Sequence, residues 1–160
     1  MKRLPLVPLL AAATVAVDQL TKWIVVSNLP VDRPIFLIPP LSGIFAITFV
    51  TNSGIAFGLF KEVGTFFILL AVIAVALLLF SVRRLPAHHR LVRVALGLAL
   101  GGAIGNLVDR VRLGYVVDFI DLRFFPIFYI ADSAIVIGMV LLAISLWREE
   151  SSPAGERLPG

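Results

Sequence analysis

Two aspartates beside the most apolar stretch of this chain are the residues best suited to do chemistry. Asp118 lies between Val117 and Phe119, and Asp132 stands near the start of a long apolar run. Two carboxyl groups in one site do not ionise equally, because like charges repel and the pKa of one of them rises. One carboxylate can then take a proton from water while the other carboxyl group donates one. The pair is therefore suited to acid–base hydrolysis of a peptide bond.

Other side chains compete for this role. Asp109 and Asp121 are alternative members of an acidic pair, and a serine activated by Lys22 would be an alternative nucleophile. The chain has no cysteine, and its two histidines, His88 and His89, are adjacent. Adjacent residues do not share a helix face, so a histidine triad or a histidine zinc site is not expected. We predict neither a metal nor another cofactor.

The composition indicates an integral membrane protein. Of its 160 residues, 59% are hydrophobic and 15% are charged, and the mean hydropathy is +1.02. A soluble domain would be about 45–50% apolar and about 25% charged. We predict one membrane-embedded domain over residues 1–150. The polar tail at 151–160, rich in Pro and Gly, is expected to be disordered and cytoplasmic.

Four stretches are long and apolar enough to cross a bilayer as helices, which takes ~20 residues each. We place these spans at about 4–27, 65–82, 91–108 and 127–147. Residues from about 31 to 62 are rich in β-branched and aromatic side chains, which predicts a small β-rich subdomain on the outer face. The predicted fold class is an α-helical integral membrane protein, a four-transmembrane-helix bundle carrying that subdomain.

The positions of lysine and arginine predict the orientation, because these residues favour cytoplasmic flanks. The flanks before span one, between spans two and three, and after span four hold eight cations against three acids, counting Arg93 in the first turn of span three. Both termini should therefore be cytoplasmic. The basic excess is a topology signal, so no nucleic-acid partner is expected. The basic, apolar N-terminus also resembles a cleavable signal peptide, but its apolar run is longer than a typical signal core.

Polar residues within the predicted spans gather in the outer half of the bilayer. From the rise of 1.5 Å per helical residue, Asp18 lies ~14 Å and Asp132 ~8 Å from the outer ends of their spans. Four further polar residues fall at a similar level: Lys22, Asn106, Asp109 and Arg110. Ionisable groups in a bilayer are costly and usually face a bundle interior or a wet cavity. A site at the outer surface would explain why they cluster on one side.

Two other classes of function use buried charges and stay open on composition and depth alone. In a proton-coupled transporter, Asp18, Lys22 and Asp132 would form a relay, although a relay should extend across the whole bilayer. In a structural assembly factor, the same residues would only join helices. Asp18 and Lys22 have the spacing at which an acid and a base on one helix neutralise each other.

Five short motifs follow one another along the chain: DQLTK, TNSGIAFG, GGAIGNLVDR, VVDF and FYIAD. Each is weak alone, but the ordered set resembles bacterial lipoprotein signal peptidase, also called signal peptidase II. The resemblance implies an aspartic endopeptidase of the bacterial inner membrane with its active site at the outer face. It further implies cleavage of prolipoprotein signal peptides just before a diacylglyceryl-modified cysteine. We expect a monomer whose other partners are membrane lipids.

The resemblance also assigns residues. Asp118 of VVDF and Asp132 of FYIAD match the catalytic pair. Six residues are expected to bind substrate or to support the site: Asn52, Asn106, Arg110, Asp18, Lys22 and Asp109. The chain departs from the family pattern at Tyr129, where the family usually has asparagine. An asparagine amide both donates and accepts hydrogen bonds, so its role is not transferred to Tyr129.

Overall fold

A computed structural model describes residues 6–53, 63–84 and 90–150 of the chain. Within them, four helices are long and apolar enough to cross a membrane. They are α1 Leu6–Asn28, α2 Val63–Arg84, α3 Arg90–Leu113 and α4 Ile130–Glu150. The predicted membrane fold is thereby confirmed. The tail at 151–160, the two histidines, and the part of the predicted β-rich segment beyond Ser53 lie outside the described residues.

Helix α2 shows most clearly why these segments belong in lipid. The stretch Thr65–Arg84 has a mean hydropathy of 2.9. Large side chains such as Leu69, Leu77 and Phe80 stay exposed along it. A helix that is apolar all round is stable only where something other than water covers it, and for this helix the bilayer does so.

Helix α3 packs against the three other helices, and its small residues allow the closest approach. A Cβ added to Gly97 would lie 2.8 Å from the Cβ of Leu10, and one added to Gly101 would lie 2.6 Å from the Cβ of Thr14. Real Cβ atoms do not approach other heavy atoms so closely, so only glycine permits this packing against α1. Small residues serve the same purpose in many membrane helix pairs.

A small antiparallel sheet lies beyond the helix ends. Its strands are β1 Pro34–Ile35, β2 Ala46–Asn52 and β3 Val116–Asp121, in the order β1–β2–β3. In β2 and β3, Val50 pairs with Asp118 and Asn52 pairs with Val116. Strand β3 comes from the segment between α3 and α4, which was not predicted to join the sheet. Its short VVDFID pattern mixes acids with apolar residues, so hydrophobic alternation does not reveal it.

An apolar core joins the sheet to the helices. It holds one residue of α1, four of the sheet, the residue directly before α4 and the second residue of α4: Val25, Phe49, Val116, Val117, Phe119, Tyr129 and Ala131. These side chains are at most 8% exposed. The core therefore places strand β3, which carries Asp118, beside the first turn of α4, which carries Asp132.

Candidate active site

Asp118 lies in the middle of strand β3 and is 4% exposed. The side-chain amide of Asn52 donates a hydrogen bond of 3.0 Å to its Oδ2. Its Oδ1 accepts no hydrogen bond from the described residues. Buried carboxyl oxygens usually have a hydrogen-bond partner. This one is an exception, so it is available to hold a proton or to bind an incoming group.

The surroundings of Asp118 make its carboxyl group hard to ionise. Burial raises the pKa of Asp118 to about 6, and the negative charges of Asp132 and Asp109 act in the same direction. The Asn52 hydrogen bond and the positive charge of Lys22 act in the opposite direction. A carboxyl group with this pKa exchanges its proton near neutral pH, as acid–base catalysis requires.

Asp132 lies in the first turn of α4 and is half-buried. Its charge contributes to the raised pKa of Asp118, so the two carboxyl groups are close enough to interact. The structure thus brings together two residues that lie fourteen positions apart in the chain. They come from different elements, a strand and a helix start, and the apolar core holds both.

The two other aspartates considered as partners are already engaged. Asp121 accepts hydrogen bonds from the Thr48 hydroxyl at 2.8 Å and from the Arg123 amide at 2.8 Å, and it pairs with the Arg123 guanidinium at 3.0 Å. Asp109 forms an ion pair of 2.7 Å with Lys22. Among the four acids, Asp118 is the one that keeps a buried oxygen with no hydrogen bond from the described residues.

Lys22 lies between two carboxylates. Its Nζ is 2.8 Å from Asp18 Oδ2 and 2.7 Å from Asp109 Oδ2. The three residues are almost completely buried, with 3%, 0% and 2% exposure for Lys22, Asp18 and Asp109. The Tyr129 ring covers the ammonium, with 4.3 Å between Nζ and the ring centroid. Asp18 and Lys22 pair as their spacing indicated, and Asp109 joins them from α3.

Gln19 belongs to the same cluster, although no role for it was expected from the sequence. Its Nε2 donates hydrogen bonds to Asp109 Oδ1 at 2.7 Å, Asp18 Oδ2 at 3.3 Å and the carbonyl oxygen of Gly105 at 3.4 Å. Its position within DQLTK, three residues before Lys22 on the same helix face, is the signal that could have identified it.

Asn106 and Arg110 lie one helical turn apart on α3. Asn106 is 8% exposed and hydrogen-bonds the side chain of Tyr129. Arg110 is half-buried, and its guanidinium lies 5.7 Å from the centroid of the Phe67 ring on α2. Both residues line a cavity of about 190 Å³ between α2, α3 and α4, which Ile135 also borders.

A second cavity opens at Asp118. It measures about 370 Å³ and is lined by β2, by β3 and by the loop before α4. Its lining residues are Val50, Thr51, Asn52, Ser53, Asp118, Pro126 and Ile127. The cleft runs along the sheet, where an extended peptide could reach the carboxyl group. The Asn106 cavity, by contrast, lies among the membrane helices.

These features define a class of protein: a membrane-embedded enzyme with two interacting carboxyl groups where its helices meet a small sheet. Comparison with known proteins then places it in a family. The model of the family described as signal peptidase (SPase) II matches residues 10–148. The chain belongs to the signal peptidase II family and is a peptidase of bacterial membranes, as its motifs indicated.

Individual relatives and solved structures agree. A lipoprotein signal peptidase of Moorella thermoacetica is 42% identical over 93% of this chain and 95% of its own. One of Caldanaerobacter subterraneus subsp. tengcongensis is 45% identical over 83% and 90%. Two structures described as bacterial membrane enzymes superpose with TM-scores of 0.82 and 0.80 at 34% and 35% identity. The first covers 94% of this chain and 93% of that chain, the second 88% and 92%.

Proposed function

We propose that this chain removes signal peptides from prolipoproteins, cutting just before a diacylglyceryl-modified cysteine, with Asp118 and Asp132 as its catalytic residues. One observation carries the assignment: the carboxyl group of Asp118 is buried beside Asp132, and its pKa is raised to about 6. The names of the relatives support the substrate class, because they are lipoprotein signal peptidases.

In this mechanism, the pair holds one proton when the substrate binds. The ionised carboxylate takes a proton from water as the water oxygen attacks the scissile carbonyl carbon. The protonated carboxyl group donates its proton to the carbonyl oxygen. When the tetrahedral intermediate collapses, the first carboxyl group passes the proton that it took from water to the leaving amine, while the second, now ionised, takes a proton from a hydroxyl group of the intermediate. The C–N bond breaks, and the pair again holds one proton. Because the two groups interact, they titrate as a pair, and both roles belong to the pair rather than to one residue each.

The polar residues around the pair support it in two ways. Asn52 both holds Asp118 and lines the cleft along the sheet, so it can orient the acid and contact the peptide. Asn106 and Arg110 face the cavity between the helices. Asn106 Oδ1 is buried and accepts no hydrogen bond from the described residues, which makes it an acceptor for a substrate N–H group. Asp18, Lys22 and Asp109 form a buried ionic cluster that supports the site without lining either cavity.

The proposed orientation puts both termini in the cytoplasm and the active site at the outer face. Arg83 and Arg84 end α2, and Arg148 lies in the last turn of α4, as the preference of cations for cytoplasmic flanks requires. The sheet and Asp118 lie at the opposite ends of the helices. A substrate anchored by lipid would present its scissile bond at that level. We propose a single domain over 1–150 that acts as a monomer in contact with membrane lipids.

The test is cleavage of a diacylglyceryl-modified prolipoprotein by the purified protein in detergent. Wild type is compared with Asp118→Asn and Asp132→Asn, and thermal unfolding verifies the fold of each variant. We expect cleavage before the modified cysteine by wild type and at least ~10²-fold less by either variant. Asp121→Asn is the matched control, since Asp121 lies in the same strand but is held by Thr48 and Arg123.

Three results would contradict parts of the proposal. If folded wild type never cuts the lipidated substrate, the proposed function is wrong, and the transporter and assembly-factor interpretations become the preferred ones. Folded Asp118→Asn or Asp132→Asn variants with full activity would remove the aspartate mechanism while leaving the peptidase. An unmodified prolipoprotein that is cut equally well would refute the requirement for the lipid.

A further inference from the structure

One carboxylate of the Lys22 cluster holds the start of α4 immediately before Asp132. Asp18 Oδ1, on α1, accepts a hydrogen bond of 2.8 Å from the backbone N–H of Ala131, 113 residues away. Ala131 is the second residue of α4, and the first N–H groups of a helix have no partner inside it. Asp18 therefore caps α4 from another helix, next to the residue that carries the proposed chemistry.

The other carboxylate of the cluster holds strand β3 immediately before Asp118. Asp109 Oδ2, on α3, accepts a hydrogen bond from the backbone N–H of Val117 at 3.4 Å. Val117 has no exposed surface, so this amide has no access to water. The two aspartates of the proposed pair thus each follow a residue whose amide is held by a buried carboxylate.

Lys22 joins these two anchors. The same ammonium contacts Asp18 at 2.8 Å and Asp109 at 2.7 Å, while Gln19 donates hydrogen bonds to both carboxylates. Asp18 also packs closely against α3, because a Cβ on Gly105 would lie 2.8 Å from Asp18 Oδ2.

We propose that Asp18, Lys22 and Asp109 form a single clamp that sets the separation of Asp118 and Asp132, so that all three are positioning residues for the peptidase reaction. The proposal rests on the proposed function, and it adds what the cluster does there. Asp18 fixes the first turn of α4, Asp109 fixes β3, and Lys22 holds the two carboxylates at a constant distance. A shift of about 1 Å in a catalytic group can lower a rate by ~10²-fold, so such a clamp has a direct effect on kcat.

The alternative role for the same cluster is to join α1 to α3, with no influence on the pair. The two roles differ in what they predict for Asp18→Asn and Asp18→Ala. Both variants remove the negative charge, and both leave Lys22 paired with Asp109. Asparagine keeps an acceptor oxygen for the Ala131 amide, whereas alanine does not. The comparison therefore contrasts a variant that can keep this hydrogen bond and most of the side-chain volume with one that loses both, after each has lost the charge that pairs with Lys22.

Two measurements distinguish the roles. In hydrogen–deuterium exchange, we expect the peptide at the start of α4 to exchange about tenfold faster in Asp18→Ala than in Asp18→Asn. In steady-state kinetics, we expect kcat to be at least ~10-fold lower in Asp18→Ala than in Asp18→Asn, with KM values that agree within about twofold. Partial rescue by asparagine is the signature of positioning. A cluster that only joined helices would lower the unfolding temperature of both variants without separating their kcat values.

Equal exchange and equal kcat in the two folded variants would overturn the proposal. If Asp18→Ala does not fold, Asp109→Asn and Asp109→Ala supply the same comparison at Val117, with Lys22 still paired with Asp18. The exchange measurement needs no substrate, so it decides the anchoring of α4 even if wild type cuts no prolipoprotein. Absence of cleavage by wild type would refute the proposed function. If wild type cleaves but the Asp18 variants are indistinguishable, the clamp alone is refuted.

Discussion

The Asn52 amide donates its 3.0 Å hydrogen bond to Asp118 across the pair of strands β2 and β3, joining residues 66 positions apart. The antiparallel register, in which Asn52 pairs with Val116 and Val50 with Asp118, places the amide within reach of the carboxyl group. A hydrogen bond to the charged form of an acid favours ionisation. Asn52 therefore limits how far burial raises the pKa of Asp118.

Asn52→Ala should move the pH dependence of the reaction to higher pH. Without the Asn52 hydrogen bond, the pKa of Asp118 rises above about 6. A pair that must hold one proton loses activity as pH rises through its raised pKa, so the alkaline limb of kcat/KM should shift upward. We expect kcat/KM itself to fall about tenfold, measured from pH 4 to 9 with the lipidated substrate.

Thr51→Ala is the control for this shift, because Thr51 lines the same cleft. Its alkaline limb should coincide with that of wild type. A limb that stays in place or moves to lower pH in Asn52→Ala would contradict the assignment of Asn52 as the group that favours ionisation of Asp118.

Asp118→Asn should stabilise the protein at neutral pH while abolishing activity. The folded state raises the pKa of Asp118 to about 6, whereas an unfolded aspartate has a pKa of about 4. Between these values the folded state binds more protons, so the free energy of unfolding decreases as pH rises. At pH 7.5 the free energy of unfolding of wild type is lowered by the full cost of ionising the buried Asp118. The variant cannot ionise at this position, so its free energy of unfolding is not lowered.

Thermal unfolding of both proteins in the same detergent measures this effect. The variant should unfold at a higher temperature at pH 7.5, and the difference should vanish below about pH 4, where the carboxyl group is neutral in both states. Asp121→Asn should behave in the opposite way. Although burial acts to raise the pKa of Asp121, hydrogen bonds from Arg123 and Thr48 outweigh it and lower that pKa. This variant should be less stable than wild type at pH 7.5, with the deficit shrinking as pH falls through the folded pKa of Asp121.

Gly105→Ala should disturb the site through Asp18. The added Cβ would lie 2.8 Å from Asp18 Oδ2 and 3.3 Å from the Cβ of Ala131. The carboxylate or the start of α4 must then move, at a cost of about 1–3 kcal/mol for overpacking. We expect a lower unfolding temperature and a lower kcat. Gly43→Ala is the control, since a Cβ there meets nothing within 4 Å. Unchanged stability and activity in Gly105→Ala would contradict the tight packing around Asp18.

Tyr129→Phe should keep the aromatic cover over Lys22 and remove the hydroxyl that Asn106 hydrogen-bonds. A buried amide that loses its partner costs about 1–3 kcal/mol, so the unfolding temperature should fall. If Asn106 contacts substrate, Tyr129→Phe should change KM as well. A variant with wild-type stability and KM would show that the hydroxyl contributes nothing.

The sequence by itself determined the membrane spans, the clustering of polar residues towards one end of them, and the family. Spans follow from local composition, because ~20 apolar residues need no distant partner to enter a bilayer. The pair Asp118 and Asp132 followed from the ordered motifs together with the chemistry of two acids. Each of these signals is local, or depends only on order along the chain.

Tertiary structure alone decided which groups meet. Strand β3 joined the sheet because β2 offered it an edge, although its own pattern is ambiguous. Lys22 was expected to pair with Asp18, four residues earlier, but its second partner, Asp109, comes from α3. The bond from Ala131 to Asp18 spans 113 residues. Such contacts depend on how helices dock around glycines such as Gly105, and no local periodicity encodes that docking.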